Sequence, residues 1–231
     1  MSRVCVIAGA GPGNGLSLGR RFSREGYQVV LLARSEDHVA RIAAQVPDSA
    51  GLACDLTDEA AVTATFQSIA DDFGPVDTLI YNAGAGIFGS VEEIDAAAFE
   101  AGWRVNALGC FLCCRQVMPA MKANGGNIVI IGATASKRGG AGFAAFASAK
   151  AAQYNFAQSL ARHLGPQGVH VSYIIIDGVI DLPRTRERFP DRDESFFLKP
   201  DDIADTVYHI TQQPPSAWTF EVDLRPAAEN W

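Results

Sequence analysis

Apolar residues along this chain come in short runs, separated by longer stretches with helical spacing. The runs at 4–8, 28–33, 51–54, 78–81, 127–131, 170–176 and 219–222 are almost continuously apolar rather than alternating. That is the signature of strands covered on both faces. Between them, segments 15–25, 36–45, 59–73, 96–123, 143–163 and 200–211 have helical spacing. Regular alternation of this kind predicts an α/β fold with a doubly wound sheet of about seven parallel strands and helices on both faces. Right-handed crossovers then settle most of the topology. No linker, internal repeat or low-complexity tract interrupts the pattern, so residues 1–231 are expected to form one domain. One segment departs from it. Residues 181–199 are proline-bounded and dense in charge (Arg184, Arg186, Glu187, Arg188, Asp191, Arg192, Asp193, Glu194), as in a surface excursion before the last helix.

Composition narrows the function classes. With 48% hydrophobic and 19% charged residues the chain is neither disordered nor membrane-like. No stretch approaches the roughly 18 uninterrupted apolar residues of a spanning helix, and the opening run stops at Gly9, too short for a secretory signal. The 26 acidic against 19 basic residues give a net charge of −7, without the basic face that nucleic acid requires. A small molecule is the expected partner. Cys5, Cys54, Cys110, Cys113 and Cys114 are odd in number and three crowd one apolar stretch, which is no disulfide framework. A reducing cytoplasm is the simplest setting. Cys110 and Cys113 have C-x-x-C spacing, but zinc needs a second pair of ligands and the four histidines are scattered. These cysteines are therefore expected to be core residues, with no metal site.

The first chemical signal follows the first strand, in Ala8-Gly9-Ala10-Gly11-Pro12-Gly13-Asn14-Gly15-Leu16. A strand that turns through glycines into a helix leaves backbone N–H groups and a helix N-terminus free for a pyrophosphate. The spacing Gly9, Gly13, Gly15 resembles the G-x-x-x-G-x-G of the short-chain dehydrogenases/reductases, whose fold is Rossmann-type. Further matches lie at family offsets. Asp55 and Leu56 follow the third strand, where the family contacts adenine; the alternative is a helix-capping loop with Thr57 as N-cap. Asn82-Ala83-Gly84 follows the fourth strand, beside the adenosine in the family. Asn106 falls mid-helix, a poor place for Asn, where the family's catalytic Asn holds a proton-relaying water.

Cofactor choice is read at the end of the second strand. NAD-binding members carry an acidic residue there; this chain has Ala33, then Arg34 and Ser35. An Arg fork suits a phosphate, so NADP(H) is favoured over NAD(H), the alternative being a solvated Arg34 with Ser35 as N-cap. Gly178 stands in the family's Pro-Gly segment after the sixth strand, behind Asp177 instead of proline.

The resemblance weakens at the chemistry. The family reduces carbonyls with a Tyr, a Lys four residues later and a Ser 13 residues before the Tyr. Here Lys150 is present, but the Tyr position is Phe146 and the Ser position Ala133. Thr134 or Ser136, if the loop shifts, Asp177, Asp181 or a water held by Asn106 and Lys150 are the candidate substitutes. Losing a general acid typically lowers rate by ~10²–10⁴. Three functions remain: an NADP(H)-dependent oxidoreductase with a non-standard proton donor, acting on imine or carbonyl substrates; a catalytically inactive NADP(H)-binding sensor or assembly module; and an enzyme of another reaction type without net redox. The helices at 107–118 and 143–160 are apolar around their circumference, which with the resemblance implies a homodimer or homotetramer. Residues 181–199 are expected to act as a substrate lid, with Phe189, Phe196 and Phe197 closing over an apolar substrate.

Overall fold

The run Val-Cys-Val-Ile-Ala forms β1 (Val4–Ala8), buried at every position. There follow α1 (Asn14–Arg24), β2 (Gln28–Ala33), α2 (Glu36–Ala43), β3 (Ser49–Ala53), α3 (Glu59–Phe73), β4 (Val76–Tyr81), α4 (Ala96–Trp103), α5 (Gly109–Asn124), β5 (Gly126–Ala133), α6 (Ala144–Leu164) and β6 (Val169–Ile176). The chain ends with β7 (Val179–Ile180), α7 (Pro183–Arg188), β8 (Phe197–Leu198), α8 (Pro200–Thr211) and β9 (Glu221–Leu224). This computed structural model describes residues 2–229.

Seven strands pair in parallel in the order β3-β2-β1-β4-β5-β6-β9. Successive side chains of a strand point to opposite faces. In β1, Val4, Val6 and Ala8 join a core with α3, α5 and α6, built around Val62, Phe66, Leu112, Met121 and Leu160. Cys5 and Ile7 join the opposite core with α1, α2 and α8, around Leu18, Phe22, Val39, Ile203 and Val207. Each fully buried aliphatic side chain contributes about 1.5–3 kcal/mol, so both faces must be covered. The result is a single Rossmann-like α/β domain. The strand order reverses between β1 and β4, and the crevice beyond their carboxyl ends is the natural ligand site of such a sheet.

Several expectations need correction. β3 begins at Ser49 and β9 runs to Leu224, so both predicted strands were out of register by about two residues. The predicted helix over 96–123 is interrupted by a π-helical turn, Arg104–Leu108, which separates α4 from α5. Asp58, not Thr57, caps α3, accepting from the N–H groups of Ala60 and Ala61, while Thr57 donates to Asp55. The 181–199 excursion carries regular structure that the sequence reading did not assign. It contains α7, and β8 pairs in parallel with β7. Phe197, expected to close over substrate, is 4% exposed and packed inside that pairing. All five cysteines are buried thiols.

The ring of Tyr173 of β6 packs against Gly132 of β5. A Cβ at Gly132 would stand 2.6 Å from the tyrosine oxygen and closer still to the ring carbons. The ring cannot yield within a sheet packed on both faces. Gly132→Ala is expected to destabilise the protein by about 1–3 kcal/mol, as overpacking does, measured by urea unfolding. An unchanged midpoint would show that the ring can move aside.

Candidate functional site

Three loops meet at the carboxyl end of the sheet. The glycine loop leaves β1, and Asn82 follows β4 and donates its Nδ2 to Gly9 O at 2.7 Å. The backbone N–H groups of Asn82 and Ala83 both bond Ala8 O. Gly9 has φ +99°, and an added Cβ would collide with the backbone of Ala83. Gly15 is pressed against Ala10, 2.8 Å from a built Cβ to its Cα. Only glycine allows the β1 and β4 ends to approach in this way.

The start of α1 fits a pyrophosphate. No side chain caps it at Gly13, its first turn holds no acidic residue, and space is open beside Gly11. Asn14 is 8% exposed, with an Oδ1 that has no partner, and Leu16 is buried beneath the loop. At the end of β2, Arg34 is exposed and Ser35 caps α2, accepting from His38 N–H. Asp55 and Arg34 interact electrostatically. The Asp55 carboxyl is held below the usual range first by the Thr57 N–H and hydroxyl, and secondarily by Arg34 and Arg104. Leu56 is buried, and its carbonyl lies close to Gly109. His38 Nε2 reaches Ala10 O at 3.3 Å, linking α2 to the glycine loop.

Beside this cradle, α5 and α6 deliver a second group of residues. Asn106, fully buried, sits in the π-helical turn. Such turns are uncommon and leave backbone groups to be satisfied by other means. Here Tyr81 OH bonds Val105 O at 2.5 Å, and Gln153 Nε2 bonds Asn106 O at 2.8 Å. The Asn106 amide donates to Gly102 O (2.9 Å) and Ala85 O (3.1 Å), while its Oδ1 is buried without a partner. Lys150, 5% exposed, donates from Nζ to Ile131 O and Gln153 Oε1, each at 3.0 Å. A Cβ built on Gly84 would stand 3.4 Å from Asn106 Oδ1 and 3.8 Å from Lys150 Nζ. The amide oxygen and the ammonium therefore converge on the same glycine. Burial pulls the Lys150 pKa down to about 8, slightly opposed by the Cys110 thiol.

Other candidates are engaged elsewhere. Thr134 donates to Asp177 Oδ1 at 2.5 Å, and Asp177 Oδ2 lies 3.3 Å from Arg225. Ser136 donates to Ala133 O at 2.6 Å. Asp181 holds Arg186 through two hydrogen bonds of 2.7 and 2.8 Å, which keep its carboxyl below the ordinary range. Leu182, at the start of the excursion, packs against Gly13. Gly178 has φ +152° and a built Cβ would strike Pro226.

Phe146 lies one helical turn before Lys150 and half-buried. Its ring centroid is 5.1 Å from Phe88 and 6.2 Å from Phe143. Phe88 and Phe143 are 51% and 38% exposed, unusual for aromatic side chains this close together. The loops carrying them are tied by Gly89 N–H to Gly142 O (2.7 Å) and Ala144 N–H to Gly89 O (3.1 Å). Sequence reasoning missed this aromatic rim, because its members come from the loop at Phe88 and from the start of α6, far apart in sequence. It also missed Gln153 and Tyr173. A glutamine on an otherwise apolar helix face, three residues after a buried lysine, was the available signal.

Comparison with known proteins agrees with this geometry. An uncharacterized oxidoreductase of Staphylococcus saprophyticus is 29% identical over 230 residues, covering 97% of each chain. A short-chain dehydrogenase structure from Rhodopseudomonas palustris superposes with TM-score 0.83 at 33% identity, covering 97% of this chain and 98% of that one. A metagenomic short-chain oxidoreductase, solved in complex with NADP, superposes with TM-score 0.85 at 28% identity and 98% coverage of both. The family model for short chain dehydrogenases matches residues 3–193, from the first strand into the excursion. The chain belongs to the short-chain dehydrogenase family.

Proposed function

We propose that this protein is an NADP(H)-dependent oxidoreductase that reduces substrates without a phenolic proton donor, imines or iminium ions foremost and activated carbonyls second. The observation that carries this reading is the convergence of Lys150 Nζ and the unpartnered Asn106 Oδ1 beside Gly84, at the edge of a glycine loop that fits a pyrophosphate. Bound NADPH supplies a hydride. In this reading the uncapped α1 N-terminus holds the pyrophosphate and Arg34 meets the 2′-phosphate. Asp55, Leu56, Asn82, Ala83, Gly84 and Gly178 line the remaining cradle, and Lys150 binds the nicotinamide ribose.

Phe146 takes the family's Tyr position and has no proton to give, while Ala133 takes the Ser position. Thr134, Asp177 and Asp181 are less suited to the donor's role, because their polar atoms already serve each other, Arg225 or Arg186. That leaves Lys150, directly or through a water on Asn106 Oδ1. An iminium ion arrives already protonated and needs chiefly hydride, and the faces of Phe88, Phe143 and Phe146 attract a cation of that kind. A second reading draws on the same missing hydroxyl: an NADP(H)-binding sensor or assembly module without turnover. Tight NADPH binding with no oxidation by any cyclic imine or carbonyl would favour it.

The proposal extends to assembly. Phe111 of α5 is 42% exposed, with its ring 5.9 Å from Phe156 of α6. Phe99 and Trp103 of α4 are 43% and 41% exposed. These apolar faces suit a homodimer or homotetramer. In this reading the excursion at 181–199 acts as lid over the substrate, with Leu182 packed against Gly13 at its start, and a reducing cytoplasm suits the buried thiols.

Three outcomes test this reading. Arg34→Ala is expected to raise the Kd for NADPH about tenfold or more, the size of a charge-assisted bond, and to leave NADH nearly unchanged by fluorescence titration. Equal effects on both would remove the 2′-phosphate assignment. Phe146→Tyr with Ala133→Ser is expected to raise NADPH-dependent reduction of activated ketones by ~10²-fold or more. A folded, NADPH-binding double variant inactive on a broad carbonyl panel would show that the pocket lacks the family geometry.

The third outcome follows from the lowered pKa of Lys150. Between about pH 8 and the ordinary lysine value near 10.5 the folded lysine is neutral while the unfolded one still carries its proton. The unfolded state then binds more protons, so Lys150's contribution to stability rises with pH across that window. The unfolding free energy of the wild type minus that of Lys150→Met is expected to increase by on the order of 3 kcal/mol from pH 7.5 to 10.5. A difference flat with pH would mean that Lys150 titrates normally.

A further inference from the structure

We propose that Gln153 is a positioning residue for Lys150, a clamp that joins the lysine ammonium to the π-helical turn and leaves one N–H of Nζ to the pocket beside Asn106 Oδ1. Gln153 is fully buried on α6, one turn beyond Lys150. Its two amide atoms face different partners. Oε1 accepts from Lys150 Nζ at 3.0 Å, and Nε2 donates to Asn106 O at 2.8 Å. An ammonium has three N–H groups. Ile131 O takes one and Gln153 Oε1 the second. The third remains on the side of Gly84, where Asn106 Oδ1 has no partner.

The neutral amide suits this place better than a hydrocarbon or an acid. An apolar residue would leave both the ammonium and the Asn106 carbonyl short of a partner. A carboxylate would hold the proton on Lys150 and could not donate to that carbonyl. From β6, Tyr173 OH also donates to Gln153 Oε1 at 3.3 Å, in competition with Lys150 Nζ for that acceptor, and lies 3.4 Å from Lys150 O. The groups facing Lys150 are few. α5 offers the Cys110 thiol, β6 the Tyr173 phenol, the π-helical turn a neutral amide, and β5 a carbonyl. Among the described residues no carboxylate lies within ion-pair distance of Lys150, so Gln153 is the side chain that sets its polarity.

The inference rests on the reading of Lys150 as the source of the proton, but its test needs neither substrate nor cofactor. The chain contains four lysines, at 122, 137, 150 and 199. Full-length protein labelled with ¹³C-lysine gives four Cε signals, and Lys150→Met identifies the one to follow. Gln153→Met and Gln153→Glu preserve side-chain length. Removing the acceptor in Gln153→Met is expected to move the Lys150 midpoint down by about 1 pH unit. The carboxylate in Gln153→Glu is expected to move it up by at least as much.

A residue with a merely structural role would shift neither midpoint, or both in one direction, and either result overturns the proposal. Should Gln153→Met not fold, Tyr173→Phe provides the second measurement. It removes the competing hydroxyl from Gln153 Oε1, and the Lys150 midpoint is expected to rise; no movement overturns the proposal. NADPH oxidation by an imine together with unmoved midpoints would sink the Gln153 assignment alone. Opposite midpoint shifts without any turnover would sink the oxidoreductase reading alone.

Discussion

An ammonium group buried without a carboxylate partner is the most demanding feature of this molecule, and much of the site is arranged around it. Taking a charge out of water is costly unless hydrogen bonds replace its hydration. Lys150 donates two such bonds, one to the carbonyl of Ile131 at the end of β5 and one to Gln153 Oε1. Both acceptors are fixed in turn. Ile131 is clamped by the pairing of β5 with β6, and Gln153 is anchored to the Asn106 carbonyl. The π-helical turn that presents this carbonyl is secured by Tyr81 from β4. Sheet, turn and helix therefore share one polar network beneath the pocket.

The network also explains which parts of the protein were legible in its sequence. Continuous apolar runs identified the strands, because a parallel sheet covered on both faces must be apolar on both faces. Helices α3 and α8 were delimited correctly by their apolar spacing, although the cap that starts α3 is Asp58 and not Thr57. The π-helical turn was not foreseen. One extra residue in a helical turn hardly alters hydrophobic spacing, and its stabilising partners, Tyr81 and Gln153, lie far away in sequence. The same limit applied to the excursion. Its charge density identified a surface segment, but the β7–β8 pairing that buries Phe197 depends on a contact across seventeen residues.

The candidate site divides along a similar line. The glycine loop was readable because its constraint is local: a strand must turn tightly into a helix, and φ at Gly9 excludes other residues. Lys150 and Asn106 were readable only through a family resemblance, and the structure adds why they belong together. Their polar atoms converge on Gly84, whose missing side chain keeps the space between them open. The aromatic rim could not be read, since Phe88 and Phe143 lie far apart in sequence and are brought together by the hydrogen bonds at Gly89 and by their own ring contact.

These two halves of the pocket place opposite demands on a ligand. Phe88, Phe143 and Phe146 offer flat apolar faces and no hydrogen bond, so a group that needs a donor or acceptor on that side would lose solvation without compensation. On the other side stand one ammonium N–H and one amide oxygen, a donor and an acceptor within reach of the same point. On the proposed reading, a planar, weakly polar ring system with a single polar atom at its reacting end would satisfy both sides, and a polyhydroxylated sugar neither. A dinucleotide cradle is common to many chemistries, so under that reading the substrate is narrowed by the phenylalanine rim together with a lysine that has no carboxylate partner among the described residues.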